Sequence, residues 1–134
     1  MAPHEAAKAL QPRIAEVADE IERERALPPH LVDALYDAGL FTMLLPKSLG
    51  GTELDLPTFS RAIQALAEAD GSVAWCIGQA NGLAAYMAYL APEVARDLFD
   101  GRRMILAGGC AVSPEAPEAN LRAAMDAARA ARAA

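Results

Sequence analysis

Apolar residues recur along most of this chain at the three- and four-residue spacing of an amphipathic helix, interrupted at a few places by proline and glycine. Leu10, Ile14, Val17 and Ile21 form one stripe, which predicts a helix from Glu5 or Pro12 to Arg25. Glu16, Asp19, Glu20, Glu22, Arg23 and Glu24 lie mainly off that stripe and read as a solvated face. Pro12, lacking an amide donor, either starts the stable part of this helix or kinks it. Leu27-Pro28-Pro29 breaks the chain, and Pro29 suits the first turn of a short helix through HLVDALYDA. There Leu31, Leu35 and Ala38 face inward and Gly39 is a natural end cap. The following LFTMLLP, closed by Pro46, reads as a buried extended segment or a loose turn. Lys47 to Thr52 reads as a loop in which Gly50-Gly51 permits positive φ at either position.

Asp55 is a good N-cap for the next helix, with Pro57 in its first turn. Phe59, Ala62, Ile63 and Leu66 form its inward face, and Ala69-Asp70-Gly71 ends it. Ser72 can cap the helix that follows. From Val73 to Ala91 there is no charge and no polar stripe, so this helix is expected to be sandwiched between other elements. Its length invites a membrane reading. Gln79, Asn81, Gly78 and Gly82 inside it, and the acids Asp70 and Glu93 beside it, favour a buried helix in a bundle instead. Pro92 opens a further helix, PEVARDLFD. Met104 to Gly109, MILAGG, is the one strand-like run, and a lone strand is not stable by itself. A polar linker, SPEAPEAN, then leads to an Ala/Arg-rich tail in which Leu121 and Met125 are the sizeable anchors. The pattern as a whole predicts an all-α fold, a small bundle of about five helices. Residues 1–109 form a helical domain and residues 110–134 a linker and tail.

Composition narrows the function classes. The chain has 134 residues, enough for one buried core, and 54% are apolar, which argues against disorder. A net charge of −6 with no basic stripe gives no general attraction for nucleic acid or anionic lipid. Cys76 and Cys110 fit neither a disulfide framework nor a zinc site, and Cys76, in its apolar run, reads as a small core residue. A reduced, cytoplasmic compartment is the simplest setting. No basic segment followed by an apolar stretch marks a secretory signal.

Candidate chemistry is sparse. Ser48, Ser60, Ser72 and Ser113 have no histidine near them in sequence, and His4 and His30 read as surface residues. No phosphate-cradling glycine pattern is present. Glu53/Asp55 and Glu68/Asp70 are pairs that could exchange protons, but capping and surface charge explain them more simply. No catalytic residue and no metal ligand is assigned. The uncharged helix is the best site candidate: Gly78 and Gly82 share a face and admit close approach, Trp75, Tyr86 and Tyr89 add aromatic surface, and Gln79 and Asn81 are its strong polar groups. Spacing alone favours a central core helix; the alternative is the wall of an apolar pocket.

The stretch ALPPHLVDALYDAGLFTMLLPKSLGGTELDLPTFSRAIQALAEADGSVAWCIGQANGL resembles the N-terminal helical domain of the acyl-CoA dehydrogenase family. It is equally similar to the related two-component flavin-dependent hydroxylases. The resemblance runs from about Leu10 to Gly109 and rests on the AGLF turn, the LP-x-x-LGG loop, the L-x-LP helix start and ADGSVAW, in that order. It implies an FAD-dependent oxidoreductase in which this domain walls the substrate pocket, with oxidation of an acyl-CoA thioester as the first expectation and hydroxylation of an aromatic substrate as the alternative. Carried over position by position, Trp75, Gln79, Asn81 and Leu83 become the pocket candidates. Many dehydrogenases read His-Asn where this chain has Ala80-Asn81, and GSVAW leans towards the hydroxylase branch. After Cys110 neither the flavin-binding strands nor the catalytic glutamate has a counterpart, so the expectation is a truncated member that is inactive alone. The competing expectation is a non-catalytic helical module that self-associates or binds a partner subunit through apolar surface.

Overall fold

The computed structural model describes residues 1–98 and Asp126. The described residues are helical, with no strand among them, and the all-α expectation holds. Six α-helices are seen: α1 (Pro3–Glu16), α2 (Ala18–Glu24), α3 (Pro29–Asp37), α4 (Leu56–Ala67), α5 (Gly71–Tyr86) and α6 (Pro92–Leu98). Short 3₁₀ turns lie at Leu40–Thr42, Lys47–Leu49 and Met87–Tyr89. The strand-like MILAGG, Cys110, the linker and all of the tail but Asp126 fall outside the described residues.

The single first helix expected from the sequence is two. The backbone at Val17 leaves helical geometry (φ −109°, ψ 7°), which ends α1 and starts α2. Pro12 is accommodated inside α1 and does not begin it. The predicted stripe still points inward across the break: Ile14 and Ile21 are buried, and Leu10 and Val17 pack at the edge of the core. The acids of α2 stay at the surface, where Arg23 and Glu24 form an exposed ion pair at 2.8 Å. Such a pair adds little stability.

α1 packs on α4, and α4 on α5. Two side chains fix α1 in place. Gln11 Nε2 donates to the Ala65 carbonyl at 2.7 Å, and Arg13 donates to the His30 carbonyl at 2.8 Å. Leu31 and Leu35 of α3, Leu40, Met43, Ala62 and Leu66 of α4, and Val73 and Ile77 of α5 complete one continuous core.

The LFTMLLP segment is a 3₁₀ turn followed by an irregular stretch that buries Met43 and Leu45. Its backbone groups are satisfied across the loop. The amides of Thr52, Glu53 and Leu54 donate to the carbonyls of Thr42, Leu45 and Met43, respectively, at 2.9–3.1 Å. That close return requires Gly51: a Cβ there would sit 2.0 Å from the Leu45 carbonyl oxygen. Gly50 answers a different demand, a left-handed backbone with φ 85°.

Candidate functional site

The four pocket candidates Trp75, Gln79, Asn81 and Leu83 lie on α5, and the position of that helix is set from its first turn. Asp70, immediately before the helix, caps it. Its carboxylate accepts from the amides of Ser72 at 2.8 Å and Val73 at 3.0 Å, and from the Ser72 hydroxyl. The cap is therefore Asp70 rather than Ser72, because helical geometry begins one residue earlier, at Gly71. Partial burial pushes the Asp70 carboxyl up, but these hydrogen bonds outweigh it and hold the group below its ordinary value.

The helix is not wrapped on all sides among the described residues, contrary to expectation. Val73, Ala74, Ile77, Asn81 and Ala84 are buried against α4 and the Leu40–Thr42 turn. The opposite side is open: Trp75 is 63% and Tyr86 66% exposed, Gln79 is exposed, and Gly78, Gly82 and Leu83 are half-buried. A Cβ built on Gly78 or Gly82 would meet nothing within 4 Å. Cys76 falls on the open side and is exposed, so its reading as a core residue is corrected. Desolvation, and then the nearby Asp70 carboxylate, push its thiol up. The reason for the sidedness is geometric: with 3.6 residues per turn, 73, 77, 81 and 84 define one face, and the bundle covers only that face.

This arrangement separates the four pocket candidates. Trp75 and Gln79 stand on the open face, one turn apart, with Leu83 at its edge. Asn81 points the other way and is fully buried. Its Nδ2 donates to the carbonyls of Leu40 at 2.7 Å and Ile77 at 2.9 Å, and its Oδ1 accepts the Leu44 amide at 3.0 Å. With both amide hydrogens and the oxygen engaged, Asn81 is a positioning residue that ties the Leu40–Leu45 segment to α5. Its register with Val73 and Ile77, at multiples of four, puts it on the covered face.

The acidic pairs are also committed. Glu53 accepts the Lys47 amide at 2.9 Å, and Asp55 caps α4 by accepting the Thr58 amide at 2.7 Å, which lowers its carboxyl below the ordinary value. Glu68 accepts from Gln11 and Gln64. Among the described residues no cluster of three metal-ligating side chains occurs, no buried side-chain polar atom lacks a partner, and no helix is long and apolar enough to cross a membrane. Among the described residues the candidate site is a helix with one open face of aromatic rings, small residues and an amide.

The family model described as acyl-CoA dehydrogenase, N-terminal domain, matches residues 1–96. An indole-3-acetate monooxygenase of Acinetobacter baumannii is 30% identical over 69% of this chain and 24% of its own length. The oxygenase subunit of a flavin-dependent monooxygenase of Mycobacterium tuberculosis is 41% identical over 49% of this chain and 17% of its own. A cyclohex-1-ene-1-carbonyl-CoA dehydrogenase of Syntrophus aciditrophicus is 34% identical over 52% of this chain and 17% of its own. The chain thus spans a quarter or less of the length of these relatives.

Proposed function

The chain belongs to the acyl-CoA dehydrogenase family through its N-terminal domain, and from that premise we propose that it is the helical first domain of a flavin-dependent oxygenase acting on an aromatic substrate. In this reading the open face of α5 forms one wall of the substrate pocket. The observation that carries it is that face itself: Trp75, Gln79, Leu83 and Tyr86 present rings, an aliphatic side chain and a single amide outward from a helix held from behind by Asn81. A planar ring can stack on Trp75 or Tyr86 while Gln79 offers a donor and an acceptor to a ring substituent. Two of the relatives are named as monooxygenases, which supports preferring oxygenation to the acyl-CoA oxidation that the sequence analysis put first. The match to a CoA-thioester dehydrogenase keeps that oxidation as the second reading.

A flavin, which the family and the flavin-dependent relative imply, would find little to hold it on α5. α5 carries no Lys or Arg from Gly71 to Tyr86, so it offers a flavin or substrate an apolar wall and an amide, and nothing for a phosphate. No chemical step is assigned to these residues; turnover requires groups outside them. The test is a chimera in which residues 1–96 replace the matching segment of the Mycobacterium oxygenase subunit. Retained flavin-dependent oxygenation of that enzyme's own substrate is expected. Activity only when the segment is placed in the Syntrophus dehydrogenase would overturn the oxygenase reading.

A further inference from the structure

We infer that Glu53 is a second positioning residue for the pocket wall, acting through the 46–54 loop and Asn81 on the face that α5 presents; the inference rests on the pocket-wall reading above. Arg25 and Glu53 are the non-glycine residues with a left-handed backbone among the described residues, at φ 52° and 53°. Arg25 closes α2, where such a residue is an ordinary way to end a helix. Glu53 ends no helix. Its geometry costs free energy in any residue with a Cβ, and it persists only where the surroundings hold it. What it achieves is visible in the backbone. Successive amides of an extended chain point to opposite sides. Here the amides of Glu53 and Leu54 both reach the stretch Met43–Leu45: Glu53 donates to the Leu45 carbonyl at 3.1 Å and Leu54 to the Met43 carbonyl at 2.9 Å. The Glu53 carboxylate closes the loop by accepting the Lys47 amide at 2.9 Å, a bond strengthened by the charge.

The Met43 carbonyl and the Leu44 amide belong to one peptide unit. Its oxygen accepts from Leu54, and its N–H donates to Asn81 Oδ1 at 3.0 Å. A planar unit gripped at both ends passes a displacement of one partner to the other. The route from Glu53 to α5 is therefore Leu54, this peptide and Asn81. Met43 and Leu45 are buried on either side of it, so close packing leaves the segment no room to absorb a shift. Without the carboxylate the hold on Lys47 is lost and the left-handed turn is released. The Leu44 amide then loses its fixed approach to Asn81, and Trp75, Gln79 and Leu83 lose part of the rotation that aims them outward.

Amide hydrogen exchange in the full chain is to be compared with that in its variants Glu53→Ala, Glu53→Gly and Glu53→Gln. Glu53→Ala loses the acceptor and keeps the strain, Glu53→Gly loses both, and Glu53→Gln keeps an acceptor at the same reach. The Leu44 amide is expected to exchange about tenfold faster in Glu53→Ala and Glu53→Gly, and within about threefold of native in Glu53→Gln, while the Leu66 amide in the α4 core changes less than about threefold throughout. In the oxygenase chimera, Glu53→Ala and Glu53→Gly are expected to raise KM about threefold with kcat changed less than about twofold, and Glu53→Gln to restore the native KM. Leu44 exchange that is unaltered, that rises only in step with Leu66, or that stays native in Glu53→Gly overturns the proposal, since each leaves Glu53 a matter of stability or strain alone. So does a chimera in which Trp75→Ala raises KM and Glu53→Ala does not. A chimera indifferent to Trp75→Ala overturns the pocket-wall reading instead, and the exchange result still decides whether Glu53 holds Leu44 on Asn81.

Discussion

The Oδ1 of Asn81 accepts the backbone amide of Leu44 at 3.0 Å, joining the middle of α5 to a segment 37 positions earlier in the chain. The same side chain donates to the Leu40 and Ile77 carbonyls. One buried amide therefore fixes the path of Leu40–Leu45 and the rotation of α5, and that rotation decides which residues face outward.

Asn81→Ala leaves the Leu44 amide and the Leu40 carbonyl without their partner in a buried site. The expected cost is roughly 3 kcal/mol of unfolding free energy. Urea unfolding measures it. Gln79→Ala, on the open face, should change stability by less than about 0.5 kcal/mol.

The two kinds of glycine respond oppositely. Gly51→Ala forces a Cβ against the Leu45 carbonyl and should cost at least about 2 kcal/mol, because backbone and not a flexible side chain is in the way. Gly78→Ala adds a Cβ in open space within a helix and should stabilise the chain by about 0.5–1 kcal/mol. Thermal unfolding of both variants is the check.

How far these features could be read in the sequence depends on where their causes lie. Starts of helices with local causes were legible: Pro29 at the first turn of α3 and Asp55 before α4 stand where expected, and the inward residues of α3 follow their periodicity. The sidedness of α5 was not, because an uncharged helix with no polar stripe gives no signal of which face is covered. Hence Cys76 read as core, and Asn81 was grouped with Trp75 although they face opposite ways. The path of Met43–Leu45 depends on hydrogen bonds from Thr52–Leu54 and on Asn81, none of them local. The break at Val17 has no local mark at all, since the apolar stripe runs straight through it.

Capping by Asp70 makes stability acid-sensitive. Its folded carboxyl lies below the ordinary value of 3.8, so the capping contribution is present in full above that value and is lost as pH falls through the lower folded value. Asp70→Ala should cost about 1 kcal/mol at neutral pH and flatten the pH dependence in the acid range. Unfolding curves from neutral to acid pH test both statements.

Cys76 is exposed yet should be a slow nucleophile, because its thiol is pushed above the ordinary 9.0 by desolvation and by Asp70. In a Cys110→Ser background, alkylation by iodoacetamide should be slower than for a free cysteine at pH 8 and should rise as pH is raised. Asp70→Asn removes the neighbouring negative charge and should speed it.

The central claim is that the outward residues of α5 meet substrate while Asn81 holds the helix from behind. The most direct measurement is steady-state kinetics of the oxygenase chimera carrying residues 1–96, with and without Trp75→Ala. Loss of a stacking surface predicts a KM raised about tenfold with kcat changed less than about twofold. A chimera that binds flavin and turns over, but whose KM and kcat are indifferent to Trp75→Ala, Gln79→Ala and Leu83→Ala alike, would contradict it.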